Sequence, residues 1–290
     1  MTRRTIAKPV TITGVGLFTD KPAVATIEPA APGLGIRFVH NSTHIHADIE
    51  LLAQSPIPAF AHMQPRHTCL ALGSSKATTT EHILAALVGA GISDANIALG
   101  SSGELPIGDG SASLFTDAIN SVGTTPIAGD LAHIVLDEPI TVSDNGSSIT
   151  AEPADSPCYI YNFEPQPDSP LSPQSATWNA SSDTFTTDIA PARTFSMHAE
   201  ATQMQSLGLF TNFTPTDLLV LDGAGNPINN AFRYTNEPAR HKLLDLVGDL
   251  ALAGAPVIAK ITATKSGHAL NHQLAKRLYD LREHNDSFNL

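Results

Sequence analysis

The stretch "EPARHKLLDLVGDLALAG", residues 237 to 254, carries its apolar positions with the period of a helix. At about 100° per residue, Leu243, Leu244, Leu246, Val247, Leu250 and Ala251 fill one broad side. His241, Lys242, Asp245 and Asp249 fall in a narrow arc on the other. Thr235 or Asn236 can cap the start, Pro238 suits a first turn, and Gly254 with Pro256 behind it makes an ordinary stop. A solvated face would satisfy an i, i+4 pair such as His241 and Asp245, so the spacing alone leaves that reading open beside a functional one.

Other segments read in the same way. "KPVTITGVGLFTDKPAVATIEPA" alternates apolar residues around a Gly-containing turn and predicts a hairpin. An irregular segment containing Pro and His follows. "TTTEHILAALVGAGISDANIALG" then predicts a capped helix, a Gly stop and an apolar strand. "LAHIVLDEPITVSDNGSSITAEPA" predicts a second hairpin with Asn145 and Gly146 at its turn. Pro, Ser, Asp and Thr rise between residues 164 and 185, which predicts a loop or an insertion.

The two helical segments share more than a period. "HILAALVG" begins at His82 and "HKLLDLVG" at His241, so both fit HxLxxLVG without a gap, and an apolar strand follows each: "ANIALG" and "PVIAKITA". Repeated supersecondary units at this separation predict two similar halves, each a sheet packed on helices. The helices of His82 and His241 would then occupy equivalent places and face each other.

Composition narrows the function classes. A chain of 290 residues with 42% hydrophobic and 15% charged residues can bury one large core or two ordinary ones, and two domains are expected. A net charge of -12 argues against a nucleic-acid binder or a binder of anionic membranes, so an anionic ligand must be met by a local cluster of cations. Cys69 and Cys158 are too few for a disulfide framework and lack zinc-finger spacing; free thiols in a reducing compartment are expected. The basic start "MTRRTIAKPV" is followed by no apolar core of a signal peptide, and no run has the length of a membrane span. A cytoplasmic protein is expected, with any membrane contact peripheral.

Facing helices would also assemble chemistry. A hydrolytic zinc centre takes about three His or carboxylate ligands and keeps a further position open. His241 and Asp245 supply two from one helix and His82 a third from the other. Glu81, beside His82, can take a proton from water as general base, or it can close a TxxE capping box with Thr78. His268, in "KSGHALNHQL", reads as a surface residue or as the partner of Asp249, which lies one turn beyond Asp245 and can orient and charge an imidazole.

Six motifs in order, "TITGVGLF", "TTTEHILAALVGAGI", "ELPIGDGSASLF", "ARTF", "NEPARHKLLDLVGDLALAG" and "KSGHALN", resemble the UDP-3-O-acyl-N-acetylglucosamine deacetylase family over about residues 5 to 280. This is a family of zinc amidases in lipid A synthesis. The resemblance implies an α+β fold of two βααβ domains, sheets outside and helices packed between them, with the active site at the junction. Residues 1–126 and 127–290 are the expected domains. It implies one zinc ion per chain, with ferrous iron as the alternative, held by His82, His241 and Asp245, with Glu81 activating water. His268 would be general acid with Asp249 behind it, and Thr194 of "ARTF" would hydrogen-bond the oxyanion. Lys242 and Lys265 would meet the diphosphate, and Phe195 and Phe213 would contact the substrate. The implied partner is an acylated UDP-amino-sugar, and a monomer without stable membrane insertion is expected. Alternatives are a zinc amidase on another acylated sugar nucleotide and a non-catalytic binding relative. The sequence departs from the family pattern TGVGLHSG, where Phe18 replaces the His and Asp20 the Gly, and a common Gly pair becomes Asn212 and Phe213. Asp109, Gly110 and Ser111 suit a structural turn or a ligand contact.

Overall fold

A computed structural model describes residues 2–60, 63–180 and 184–287. The first half of the chain contains β1 (Thr2–Ile6), β2 (Val10–Val15), β3 (Pro22–Pro29), β4 (Ile36–His40), β5 (Thr43–His46), β6 (Cys69–Leu72), β7 (Ser75–Thr78), α1 (Glu81–Gly89), β8 (Ala95–Leu99) and α2 (Ser113–Val122). The second contains β9 (Thr124–Asp130), β10 (Ile134–Val135), β11 (Ile140–Asp144), β12 (Ser147–Pro153), β13 (Cys158–Phe163), β14 (Gln174–Asn179), β15 (Phe195–Met197), α3 (His198–Ser206), β16 (Leu219–Leu221), α4 (Glu237–Leu250), β17 (Val257–Thr264) and α5 (His268–Ser287).

The halves repeat one topology. The first sheet has the order β2-β3-β8-β4-β5, and the second β11-β12-β17-β13-β14 with β10 beside β17. In each, the strand that follows the HxLxxLVG helix pairs antiparallel with one neighbour and parallel with the other: β8 with β3 and β4, β17 with β12 and β13. Both predicted hairpins form. In the second, Asn145 (φ 46°) and Gly146 (φ 78°) make the turn, the left-handed pair that matches strand twist. The expected boundary between residues 126 and 127 falls inside β9, which pairs with β1 from Ile6↔Thr124 to Thr2↔Asp130.

Two expectations need correction. The segment read as irregular contains β4 to β7, and the segment 164–185 contains the edge strand β14. Ala176 and Trp178 of β14 are buried in alternation with exposed Ser175 and Thr177, a period that the surrounding Pro, Ser and Asp conceal. Residues 181–183 lie outside the described residues.

Helices α1 and α4 pack on each other, with α2 beside α1 and α5 beside α4, and one continuous apolar core joins both halves. Asn236 occupies the cap position of α4, but its side chain bonds Ser175 O and Arg240 instead of the helix amides. Gly254, at φ 76°, closes the far end as expected. Both glycines of the repeated pattern sit where another chain segment leaves no room. A Cβ on Gly248 would lie 2.0 Å from Glu81 O, and one on Gly89 would lie 2.3 Å from the Phe185 ring. Gly248 therefore lets the α4 backbone approach the first turn of α1.

That contact can be tested against a glycine with space around it. Gly248→Ala should destabilise the protein by about 1–3 kcal/mol or more through overpacking, with backbone as the unyielding neighbour. Gly223→Ala, with nothing within 4 Å of the added Cβ, should stay within about 0.5 kcal/mol. Denaturation midpoints measure both; equal shifts would show that the helices do not meet as described.

Candidate active site

The polar stripe of α4 is buried, not solvated: His241, Asp245 and Asp249 are all at most 3% exposed. Across the helix contact, His82 of α1 brings its ring edge-on to that of His241, with centroids 5.1 Å apart. Asp245 Oδ1 lies 3.6 Å from His82 Nε2 and 3.4 Å from His241 Nε2. The equivalent positions of the repeat thus meet at one point. His241 Nδ1 lies 3.1 Å from Ala192 O, so Nδ1–H donates there and the Nε2 lone pair is left facing Asp245.

The donor set fits a divalent ion. Asp245 Oδ1 is buried without a hydrogen-bond partner, an arrangement that costs free energy unless something else satisfies the oxygen. Two imidazoles and this carboxylate offer ligand atoms within 4.8 Å of one another. Burial pushes His241 down to about 3 despite Asp245 nearby, so its ring is neutral, as a ligand requires. Burial opposes the charge on Asp245 as well, but the Lys242 ammonium and the His268 imidazolium hold its carboxyl well below the usual range.

The proposed base and acid lie next to this set and share one residue. Glu81 does not close a capping box: the α1 cap position is Thr80, with no side-chain cap bond, and Glu81 Oε2 accepts from Thr68 N at 3.0 Å. Burial raises the Glu81 pKa against the pull of His268 and His82. His268 Nδ1 donates to Asp249 Oδ2 at 2.8 Å, and its Nε2 lies 4.0 Å from Asp245 Oδ2. Burial would lower the His268 pKa, but Asp249 and the neighbouring carboxylates raise it to about 9. Asp249 is fixed in turn by Asn271 Nδ2 at 2.8 Å and Thr68 Oγ1 at 2.5 Å. Thr68 Oγ1 accepts from His272 Nε2 at 2.9 Å.

A narrow cavity of about 50 Å³ opens on these groups and is lined by Glu81, His82, Thr194, His241, Lys242, Asp245 and His268, together with Leu17, Phe18 and Arg66. A wider passage of about 220 Å³ adjoins it, sharing Leu17, Phe18, Arg66 and Thr194. Its other walls include Phe195, Met204, Phe210, Phe213 and Leu218, and the unit β15-α3-β16, whose strands pair in parallel, carries much of it. Thr194 sits where the two spaces meet. Thr194 N donates to Gly110 O at 2.7 Å, so the Asp109-Gly110-Ser111 turn supports it. Arg193 beside it is buried against Glu237, with Nε 2.8 Å from Oε1, which ties this segment to the first turn of α4. Lys242 Nζ lies 2.9 Å from Asp245 Oδ2. Lys265 instead pairs with Glu164 at 3.7 Å.

Sequence reading missed Arg66, His67, Thr68 and His272. Thr68 and Arg66 come from the segment read as irregular, where no period marks them; His272, one turn after His268, had a helical signal. Phe18, at the position where the family pattern has a His, lies with its ring centroid 4.4 Å from that of His67.

Imidazoles and a carboxylate converging from facing helices of two repeated α+β halves define the class, a metal-dependent hydrolase, with Glu81 and His268 beside the candidate ligand group. The sequence model described as UDP-3-O-acyl N-acetylglycosamine deacetylase matches residues 3–280, and the chain belongs to that family. Relatives named UDP-3-O-acyl-N-acetylglucosamine deacetylase agree along their length. One from Anaeromyxobacter sp. (strain Fw109-5) is 36% identical over 277 residues, 95% of this chain and 88% of the relative. One from Thermosynechococcus vestitus is 33% identical over 285 residues, covering 97% and 95% of the two chains. One from Chlamydia trachomatis serovar D is 31% identical over 285 residues, covering 97% and 96%. Cys69 and Cys158 are free thiols, and no helix among the described residues is long and apolar enough to cross a membrane.

The site predicts one divalent ion per chain. His82→Ala and His241→Ala should each weaken metal retention by more than the roughly 10–100-fold that loss of an outer partner costs, and Asp249→Asn by no more than that. Metal content after dialysis checks this; stoichiometric metal in both His variants would contradict the ligand set.

Proposed function

We propose that the protein hydrolyses the N-acetyl group of a UDP-3-O-acyl-N-acetylglucosamine, releasing acetate and a free amine for lipid A synthesis. The observation that carries this is the convergence of His82 Nε2 and His241 Nε2 on the partnerless Asp245 Oδ1 in a cavity that adjoins a wider passage lined by phenylalanines. His82, His241 and Asp245 would hold zinc, with ferrous iron as the alternative. A bound ion of that kind polarises the acetamide carbonyl and lowers the pKa of water. The two halves would be domains 1–126 and 127–290 meeting at β9, and the protein a cytoplasmic monomer touching the inner membrane at most peripherally.

The chain's own residues do the remaining work. Glu81 takes the proton of the attacking water: Oε2 is held by Thr68 N–H, leaving Oε1 for transfer, and burial raises its basicity. Thr194 donates from its hydroxyl to the oxyanion as it develops. His268, kept charged by Asp249, gives the proton from Nε2 to the departing amine. Lys242 meets the diphosphate, and Lys265 offers a second cation at the rim. Phe195 and Phe213 line the acyl passage, where each buried methylene contributes about 0.8 kcal/mol.

Acetate release from an acylated UDP-N-acetyl-amino-sugar by the metal-loaded protein tests the reading. Turnover that chelation abolishes and metal restores is expected. Binding without acetate release would favour the non-catalytic relative, and turnover only on a different acylated sugar nucleotide would move the substrate.

Two variants separate the roles. Glu81→Gln should keep metal and melting temperature while losing about 10²–10⁴-fold in turnover, because an amide cannot accept the proton; unchanged turnover would remove Glu81 from the base role. The pH profile of kcat/KM should be bell-shaped with His268 on its alkaline limb, since the raised imidazole loses its proton as pH climbs. Asp249→Asn removes the charge that raises it, so the alkaline limb should move to lower pH; a limb that stays in place would break the pairing.

A further inference from the structure

The hairpin between β2 and β3 reaches across the junction of the two halves and grips the loop after α3. Asp20 at its tip accepts from Thr211 N and Thr211 Oγ1 through Oδ2, both at 2.9 Å, and from Asn212 N through Oδ1 at 3.2 Å. Asn212 Nδ2 returns a bond to Asp20 O at 2.9 Å. Asp20 holds φ 53°, a left-handed backbone in which glycine is at ease and a side chain is not. A carboxylate kept at a position that suits glycine, with its acceptors turned to one short segment, has its use in those bonds.

The bonds close a wall of the passage. Phe18, two residues before Asp20, is fixed from beneath by Glu104, whose Oε1 accepts Phe18 N at 2.8 Å, and Oε2 accepts Thr19 N at 2.9 Å. On the other side of the clasp Phe210 precedes Thr211, and Phe213 N donates to Phe210 O at 3.2 Å. The Phe18 and Phe210 rings lie 5.6 Å apart, and all three phenylalanines line the passage. Phe18 comes from the first half of the chain, Phe210 and Phe213 from the second. At the Phe18–Phe210 edge the Asp20 carboxylate, with the returning Asn212 amide, makes the side-chain bonds between the two sides of the wall; elsewhere along the passage Arg66 pairs with Glu200.

We propose that Asp20 is a positioning residue for acyl-chain selectivity: by clasping Thr211 and Asn212 it holds Phe210 and Phe213 against Phe18 and fixes the bore of the passage. This rests on the reading of the passage as the acyl site. A rigid bore discriminates by volume, because a chain longer than the space must either leave methylenes in water or force the wall apart. With the clasp opened, the wall yields and the penalty on longer chains falls.

Asp20→Gly deletes the carboxylate while keeping a residue suited to the backbone, so the fold is preserved. Thr211→Val removes one of the carboxylate's partners, the Oγ1 hydroxyl, while leaving the backbone amide, and Thr211→Ser retains both. The experiment measures kcat and KM of wild type and the three variants on acylated UDP-N-acetyl-amino-sugars that differ by two methylenes, together with amide hydrogen exchange of residues 209–213. In Asp20→Gly the ratio of kcat/KM between the best chain and one two methylenes longer should fall by about tenfold, the burial those methylenes recover. The change should lie in KM, with kcat on the best chain within about twofold, and protection of Thr211 and Asn212 amides should be lost. Thr211→Val should follow in the same direction and Thr211→Ser should behave as wild type. A length profile unchanged in Asp20→Gly, or an equal loss on every chain length, would overturn the proposal. Unprotected Thr211 and Asn212 amides in the wild type would overturn it as well. Absence of acetate release by the wild type would instead count against the proposed reaction, and the exchange data would still decide whether the clasp forms.

Discussion

The close approach of α4 to the first turn of α1, which Gly248 permits at the Glu81 carbonyl, is the contact on which the site depends. Each helix alone carries an incomplete set: His82 and Glu81 on one, His241, Asp245 and Asp249 on the other. Helices separated by another side chain's thickness would leave two unrelated polar patches. Pressed together, they put His82 within 3.6 Å of a carboxylate oxygen one half of the chain away in sequence. The repeated HxLxxLVG pattern makes this geometry natural, because a duplicated unit places equivalent residues on either side of the same interface. The matching strand orders of the two sheets carry the same symmetry outward.

Burying so many ionisable groups is costly, since desolvation disfavours every charge among them. The structure divides the cost by pairing. Asp249 is met by His268, Asn271 and Thr68, and so stays ionised; for His241 burial outweighs Asp245 and the Ala192 carbonyl, and the ring stays neutral. The outcome is a set of similar side chains in different protonation states, a neutral His241, a charged His268 and a Glu81 whose pKa burial raises, which are the states the proposed ligand, acid and base roles require. Thr68 holds both ends of this arrangement, with its amide on Glu81 and its hydroxyl on Asp249. It is a connection no periodicity announces.

The legible parts of the chain were those whose physics is local and periodic. The α4 stripe, both hairpins, the helix stops and the equivalence of His82 and His241 all follow from spacing. The unread parts depend on partners distant in sequence. β4 to β7 and β14 are short strands set among Pro, Ser and His residues that hide their period, and they are strands because a sheet pairs them. Thr68 acquires its place only when α1, α4 and α5 converge, and Arg66 finds its partner in Glu200 of α3. His268 could be read as a surface residue until α5 turned it onto Asp249, and the TxxE pattern suggested a cap that the fold does not use.

On the proposed assignment the facing helices create one metal centre, and Asp249 and His268 serve it from outside. A second group, Asp249, His268 and His272, also has ligand atoms close enough to take an ion, so the two assignments compete. Anomalous diffraction from crystals of the metal-loaded protein, recorded on either side of the bound metal's absorption edge, distinguishes them directly. One peak shared by His82 Nε2, His241 Nε2 and Asp245 is expected. A peak confined to Asp249, His268 and His272, with none between α1 and α4, would contradict it.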